Sequence, residues 1–240
     1  MLSIARHIVF FMLAVLMAPE ALAGLIVVPN GNATTEGNAR LNTAPFNTIS
    51  IYQQIFGGTQ FGSSPLLISE IAFRPDASQA SAFNSSLSNI QIGLSTTSIA
   101  VSSLGSTFAS NRGSDSTTVF SGALGFSSAN LPGSGTAKQF DLIITLDTPF
   151  FYDPTHGNLL MEIVNSSAAS LGFFVDAQID SSGQITRLVF QDGSTSGPTG
   201  TVQAGGIVTQ FTASVVPEPA TLALMSLGLA GMGLRRKVSA

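Results

Sequence analysis

The sequence contains no cysteine and no tryptophan, and only 9% of its 240 residues are charged. The absence of cysteine excludes disulfides, thiolate metal sites and a thiol nucleophile, so the fold depends on packing alone. Between Gly24 and Val216 five basic residues stand against eleven acidic ones, which gives a formal charge of −6 without any basic stripe. Because such a surface repels a polyphosphate, we do not expect nucleic-acid binding.

The N-terminus has the three parts of a secretory signal peptide. Arg6 precedes an apolar run over residues 8–18 that is too short to span a bilayer. Small side chains, Ala21 and Ala23, then occupy the −3 and −1 positions that signal peptidase requires. This pattern predicts a signal peptide over residues 1–23, cleaved after Ala23, followed by an ectodomain over residues 24–214.

The C-terminal segment, residues 215–240, combines a short motif, an apolar tail and a basic end. In order these are Pro217, Glu218 and Pro219, the apolar or small residues 220–234, and Arg235, Arg236 and Lys237. The two prolines favour an extended motif, open to a protease, and Pro219 suits the first turn of a following helix. A helix over 220–234 is short for the hydrocarbon core, so we expect a marginal transmembrane anchor, with the basic cluster as a cytoplasmic stop-transfer signal.

This order of motif, apolar tail and basic end resembles the PEP-CTERM sorting signal of exported bacterial proteins. The resemblance implies recognition and cleavage by an exosortase in a Gram-negative host that makes exopolysaccharide. It also implies a precursor anchored in the inner membrane and a final place on the cell surface or in the extracellular matrix. Segments of the mature chain resemble an ectodomain that recurs among such proteins, namely residues 52–54, 73–76, 94–98, 148–154 and 157–160. That second resemblance implies no activity and no site.

The mature chain alternates short apolar runs of period two with clusters of Gly, Pro, Asn and Ser, which is typical of β-strands and turns. The runs predict nine strands, over residues 49–56, 66–73, 90–94, 117–124, 139–146, 159–164, 171–178, 184–190 and 207–215. Residues 180–183 predict a turn that joins two of these strands as a hairpin. Since no run of helical spacing separates the strands, we predict an all-β fold, an antiparallel β-sandwich of jelly-roll type.

Few side chains suit catalysis. His7 leaves with the signal peptide, and His156 stands in an Asp-Pro and His-Gly turn without a Gly-x-Ser-x-Gly elbow. Glu70 and Glu162 are flanked by alternating apolar residues, which predicts the outward face of a strand rather than a glycosidase pair. We therefore expect no enzymatic activity and no cofactor.

Two binding alternatives stay open. Calcium would use loop carboxylates, for which the candidates are Asp76, Asp115, Asp153, Asp180 and Asp192, although none has EF-hand spacing. Exopolysaccharide binding would use exposed aromatic rings, for which Tyr52 and Tyr152 are the candidates.

The sequence thus predicts a non-enzymatic structural or adhesive surface protein, handled by signal peptidase and an exosortase. The alternative is a carbohydrate-binding module. An ice-binding protein and a calcium-dependent hydrolase are more remote.

Overall fold

The computed structural model describes residues 23–42, 44–167, 172–179 and 183–217. Thirteen strands account for about half of this part of the chain. Their bounds are β1 Ala23–Val28, β2 Ala39–Leu41, β3 Ser50–Phe56, β4 Leu66–Phe73, β5 Phe83–Thr97, β6 Thr117–Ser128, β7 Leu142–Tyr152, β8 Asn158–Asn165, β9 Val175–Gln178, β10 Ile185–Phe190, β11 Thr201–Ala204, β12 Gly206–Ile207 and β13 Thr209–Val215.

Helical structure in the described residues is limited to short turns. Three 3-10 turns lie at Asn30–Asn32, Gly58–Phe61 and Val101–Ser103, and one four-residue α-helix, α1, lies at Phe108–Asn111. Among these residues the structure has no helix that is long and apolar enough to cross a membrane. The predicted helix over 220–234 lies outside the described residues.

The strands form two main sheets and a small third one. The four-stranded sheet has the order β1-β13-β4-β7, the six-stranded sheet β11-β10-β3-β8-β5-β6, and the small sheet β12-β9-β2. Each pairing of these strands is antiparallel. This confirms the prediction of an all-β antiparallel sandwich.

The path of the chain between the main sheets has jelly-roll topology. The chain passes from β3 in the six-stranded sheet to β4 in the four-stranded sheet and back to the β5–β6 hairpin. It then crosses to β7, returns to β8 and finishes at β13, which lies between β1 and β4. A sandwich of this kind places the first and last strands side by side. The hairpin of β10 and β11 extends the six-stranded sheet beyond β3.

One main core fills the space between the two sheets. Alternate residues of each strand point inward, which is why Ile71 and Phe73 on β4 and Leu159 on β8 are buried together. A bulge between Ile68 and Glu70 shifts the alternation, so Ile68 also faces this core. Phe46, from the loop before β3, packs edge-on against Phe73 and Phe126 at ring-centroid distances of 5.2 and 4.9 Å. Such contacts add to the free energy of burying the rings themselves.

A second, smaller core covers the outer face of the six-stranded sheet. Its buried members are Ile51, Ile55, Val101, Leu104, Phe108, Leu160 and Leu188. The turn at Val101–Ser103 and helix α1 supply the covering layer, so β3 is buried on both faces along its whole length. The polar residues of this strand must therefore find partners inside the protein.

The predicted hairpin around residues 180–183 is wrong. Strand β9 pairs with β2 and β12 in the small sheet, whereas β10 pairs with β3 and β11 in the six-stranded sheet. Residues 180–182 lie outside the described residues. The segment around them thus connects two sheets rather than two neighbouring strands.

Candidate functional site

The first and last strands of the ectodomain are neighbours in the four-stranded sheet, and the start of β1 lies beside the end of β13. Ala23, at the start of β1, pairs with Ser214, near the end of β13. The backbone N–H of Val216 donates to the carbonyl oxygen of Pro65 at 2.8 Å, which ties the chain to the domain just before Pro217. Ala23 and Pro217 are both exposed. The predicted signal cleavage and the predicted sorting motif therefore adjoin neighbouring strand ends.

Most of the residues assigned to the two processing signals lie outside the described residues. They are Ala21, Glu218, Pro219, Arg235, Arg236 and Lys237. The sites themselves stay predictions, and the structure places only their attachment points on the ectodomain.

Tyr52 and Tyr152 do not form an exposed sugar platform, so that prediction is wrong. Both side chains are fully buried. Tyr52 faces the core from the middle of β3, and its hydroxyl donates to Gln54 Oε1. The Tyr152 hydroxyl donates to the carbonyl oxygen of Gly157 at 2.9 Å, and its ring lies 5.1 Å from that of Phe61. Both rings are part of the core.

His156 lies in an exposed turn, as predicted. Its side chain is 76% exposed, and Nδ1 lies 2.8 Å from Asp153 Oδ2. Asp153 also accepts hydrogen bonds from the Thr155 hydroxyl at 2.7 Å and from its backbone N–H at 2.9 Å. These bonds from Thr155, followed by that from His156, hold the pKa of Asp153 below its usual value. This is the bonding of a local Asp turn.

A buried carboxylate cluster, which sequence reasoning missed, lies at the junction of the small sheet with the end of β4. One carboxylate oxygen from each of Glu36, Asp76 and Asp176 lies within 4.8 Å of the others. Arg74, only 1% exposed, pairs with Asp176 at 2.6 Å through Nη2 and donates from Nε at 2.7 Å. Its guanidinium also lies 4.7 Å from the centre of the Phe140 ring. Arginine thus compensates part of the buried negative charge.

The backbone completes this cluster. The N–H of Gly37 donates to Asp176 Oδ1 at 2.9 Å, and the N–H of Ala77 donates to Glu36 Oε1 at 2.6 Å. A side chain at position 37 is excluded, because a Cβ there would lie 2.1 Å from the carbonyl oxygen of Ala177. The pKa of Glu36 is raised to about 7, chiefly by burial and also by Asp176 and Asp76, against the opposing effects of the Ala77 N–H and Arg74. Burial also raises the pKa of Asp176.

The structure separates the other aspartates that the sequence offered for calcium. Asp115 accepts from the N–H of Thr96 at 2.8 Å, and Asp192 accepts from the N–H of Ser194 at 3.0 Å. Asp192 therefore binds its own loop, as Asp153 does, and Asp115 binds the end of β5. Asp180 lies outside the described residues. Only Asp76 joins other carboxylates, and its partners Glu36 and Asp176 were not among the predicted residues.

The raised pKa of Glu36 predicts a pH dependence of stability. The unfolded chain loses this proton near pH 4.5 and the folded protein near pH 7, so the cost of burying the charge is absent below 4.5 and complete above 7. We expect the free energy of unfolding to fall by about 1 kcal/mol across this window, after allowing for the partial exposure of Glu36. Urea unfolding at pH 5 and pH 8, in EDTA to exclude bound cations, measures this.

Glu36→Gln is the matched variant, because it keeps the acceptor for the Ala77 N–H and removes the titration. It should be more stable than the wild type at pH 8 and equal to it at pH 5. If the free energy of unfolding of Glu36→Gln changes between pH 5 and pH 8 as much as that of the wild type, the pH dependence of stability comes from other groups.

A polar groove lies on the outer face of the six-stranded sheet, where β5, β6 and β8 meet beside helix α1. Its cavity volume is about 240 Å³, and its polar lining comes from Gln91, Ser95, Arg112, Ser116, Thr117, Thr118 and Glu162. Arg112 donates to both oxygens of Glu162, at 3.1 and 2.8 Å. Gln53 Nε2 donates to the same carboxylate at 2.6 Å. Glu162 does lie on the outward face of β8, as predicted, and it is 15% exposed.

Comparison with known proteins gave a match at the C-terminal end of the chain. A family model for the PEP-CTERM protein-sorting motif matches residues 215–237. The chain is therefore a protein with a PEP-CTERM sorting motif, and this motif marks it as an exported protein sorted by an exosortase. Neither the curated proteins nor the solved structures gave a match to the chain.

Proposed function

We propose that this protein is a non-enzymatic component of the cell surface or extracellular matrix with a structural or adhesive role. One observation carries the proposal: each aspartate and glutamate in the described residues accepts a hydrogen bond from the protein itself. The ten residues are Glu36, Glu70, Asp76, Asp115, Asp141, Asp147, Asp153, Glu162, Asp176 and Asp192. General acid–base catalysis needs carboxylates aimed at a substrate. Here each carboxylate has at least one oxygen held by a backbone N–H or a side chain of the domain.

The destination supports the same role. An all-β sandwich without cysteine needs no oxidising machinery to reach a stable fold outside the cell. The sorting motif delivers such a domain to the surface, where the properties required of a structural component are solubility and a stable fold.

Deletion of the gene in the host tests this proposal. We expect reduced retention or cohesion of the surface matrix, with complementation by the wild-type gene. The glycosyl-linkage composition and chain length of the matrix polysaccharide should not change, because a structural component makes and breaks no glycosidic bonds. Altered linkages or chain length in the deletion strain would contradict a non-enzymatic role.

The groove beside helix α1 favours a second candidate, a carbohydrate-binding module for exopolysaccharide. Amide, hydroxyl, guanidinium and carboxylate groups converge there over a volume that suits one or two sugar rings. The groove lining includes no aromatic residue, so recognition would rest on hydrogen bonds rather than on stacking.

Binding to the isolated host polysaccharide tests the second candidate. Gln91 and Thr118 are exposed in the groove, so replacing both with alanine removes three hydrogen-bonding groups without disturbing the buried core. We expect at least a tenfold loss of affinity in this double variant. Thr201→Ala is the control, because Thr201 is an exposed threonine on β11, at the opposite edge of the same sheet. Equal binding by both variants would exclude the groove.

A further inference from the structure

Three exposed apolar side chains lie at the end of the four-stranded sheet where β13 stops. They are Leu67, Phe151 and Val215, which are 37%, 54% and 47% exposed. Leu67 pairs with Phe151 on β7, so these two side chains share the outer face of the sheet. Val215 pairs with the buried Leu66, so it lies at the adjoining strand end but on the opposite face. We call these three residues the terminal patch. Adjacent exposed apolar side chains such as Leu67 and Phe151 favour contact with an apolar partner.

The short segment between β13 and the apolar tail limits how far the terminal patch can lie from a membrane that holds the tail. Val216 is hydrogen-bonded to Pro65, and the apolar segment of the sorting signal begins at residue 220. Four extended steps from residue 216 to residue 220 cover at most about 14 Å. The headgroup region on each side of a bilayer is about 5 to 8 Å thick. While the tail is in the membrane, the end of β13 therefore stays within reach of the lipid interface.

Electrostatics does not draw this end to the membrane. The stretch from Gly24 to Val216 carries a formal charge of −6, and an anionic lipid surface repels it. The nearest ionisable groups on the adjoining turn are Asp153 and His156, which pair with each other. Leucine, valine and phenylalanine side chains favour the boundary between headgroups and acyl chains by burial of apolar area.

We propose that the terminal patch inserts into the lipid interface of the membrane that holds the uncleaved precursor. This contact holds the end of β13 at the lipid interface. The proposal rests on the membrane anchoring that the sorting motif implies, and its partner is lipid rather than the sorting peptidase.

The absence of tryptophan allows a direct test with single-tryptophan reporters. Phe151→Trp and Leu67→Trp place the reporter in the terminal patch. Ile143→Trp is the matched control, because Ile143 is 52% exposed on the same strand. Its partner on β4, Ala72, lies five residues from Leu67, the partner of Phe151, which is a separation of about 17 Å along the sheet. Each full-length variant is reconstituted into phosphatidylcholine and phosphatidylglycerol liposomes that contain lipids brominated at the top of the acyl chain.

Flotation first establishes that the full chain is anchored, and fluorescence then reports the patch. We expect at least threefold stronger quenching of the two patch reporters than of Ile143→Trp, together with a blue shift of their emission. If the protein does not float with the liposomes, the tail does not anchor it in the membrane, and the premise of the proposal is wrong. Equal quenching at all three positions would contradict a contact between the terminal patch and lipid. Absence of quenching at all three positions would also contradict it and, because these liposomes contain no peptidase, would point to the peptidase as the partner.

A longer linker separates affinity from mere tethering. Twenty Gly and Ser residues inserted between Val216 and Pro217 release the domain to distances of about 25 Å. If the patch binds lipid, Phe151→Trp should keep at least half of its quenching in this background, and a further Leu67→Ser substitution should reduce it at least twofold. Complete loss of quenching on insertion of the linker would show proximity without binding and contradict the proposal.

Discussion

Replacing Asp176 with alanine is expected to lower the free energy of unfolding by about 3–5 kcal/mol. The substitution leaves the guanidinium of Arg74 buried at 1% exposure without its anionic partner. It also removes the acceptor of the Gly37 N–H. An unpaired buried charge costs far more than the pair itself contributes. Equilibrium denaturation of the folded protein at pH 7 measures the change.

Two comparison variants make this result specific. Asp147→Ala removes an exposed carboxylate that accepts a hydrogen bond from the Ser121 N–H at 3.2 Å, and it should cost less than about 1 kcal/mol. The double variant Arg74→Met and Asp176→Leu removes both charges at once and should recover most of the stability lost in Asp176→Ala. A cost below about 1 kcal/mol for Asp176→Ala would contradict a buried, structural ion pair.

Replacing Pro217, Glu218 and Pro219 with alanine should reduce processing of the C-terminal tail at least tenfold. The prolines disfavour helix at and before the motif, so their removal allows the tail helix to extend toward β13 and takes away the extended segment that a protease binds. The ectodomain should keep its stability, because Val216 makes the last described hydrogen bond of the chain with the domain. The ratio of precursor to processed protein in an exosortase-positive host reports the effect.

Ser239→Ala serves as the control for this experiment, because it changes the same terminal segment beyond the basic cluster. It should be processed like the wild type. Normal processing of the triple-alanine variant would mean that the tripeptide is not the recognised element, and the sorting assignment of this chain would lose its basis in these residues.

The regular alternation of apolar residues predicted most of the strands that have at least one face in a core. The bounds of β4 agree at both ends with the predicted 66–73, and those of β3 and β8 differ by one residue at each changed end. Strands β1, β2 and β11 were not predicted. The residues of β11 are all exposed and β2 has three residues, so neither has a buried face that repeats long enough to be recognised.

Pairing was harder to predict than the strands. A short turn between two strands ordinarily predicts a hairpin, yet β9 is held by β2 and β12, which come from far earlier and later in the chain. Jelly-roll topology joins strands that are distant in sequence, and local turn chemistry does not report those partners. The same limit applies to the buried carboxylate cluster, whose members Glu36, Asp76 and Asp176 come from three separate segments.

The buried tyrosines show a second limit. The alternation on β3 does not say which face is inward: Tyr52 lies on the inner face, against the other sheet, and the layer that contains Val101 and Phe108 covers the outer face as well. A sequence pattern reports the periodicity of one strand and not the loops that cover it. In contrast, the sorting motif is contiguous, so the sequence alone was sufficient to identify it.

The intact mass and cell fraction of the protein, made in its host with and without the exosortase, test the central claim most directly. With the exosortase, we expect a mature chain that begins at Gly24, ends between Val216 and Pro219, and lies in the outer-surface fraction. Without it, the chain should retain residues 220–240 and stay in the inner membrane. The same mass and the same fraction in both hosts would contradict sorting of this protein by an exosortase.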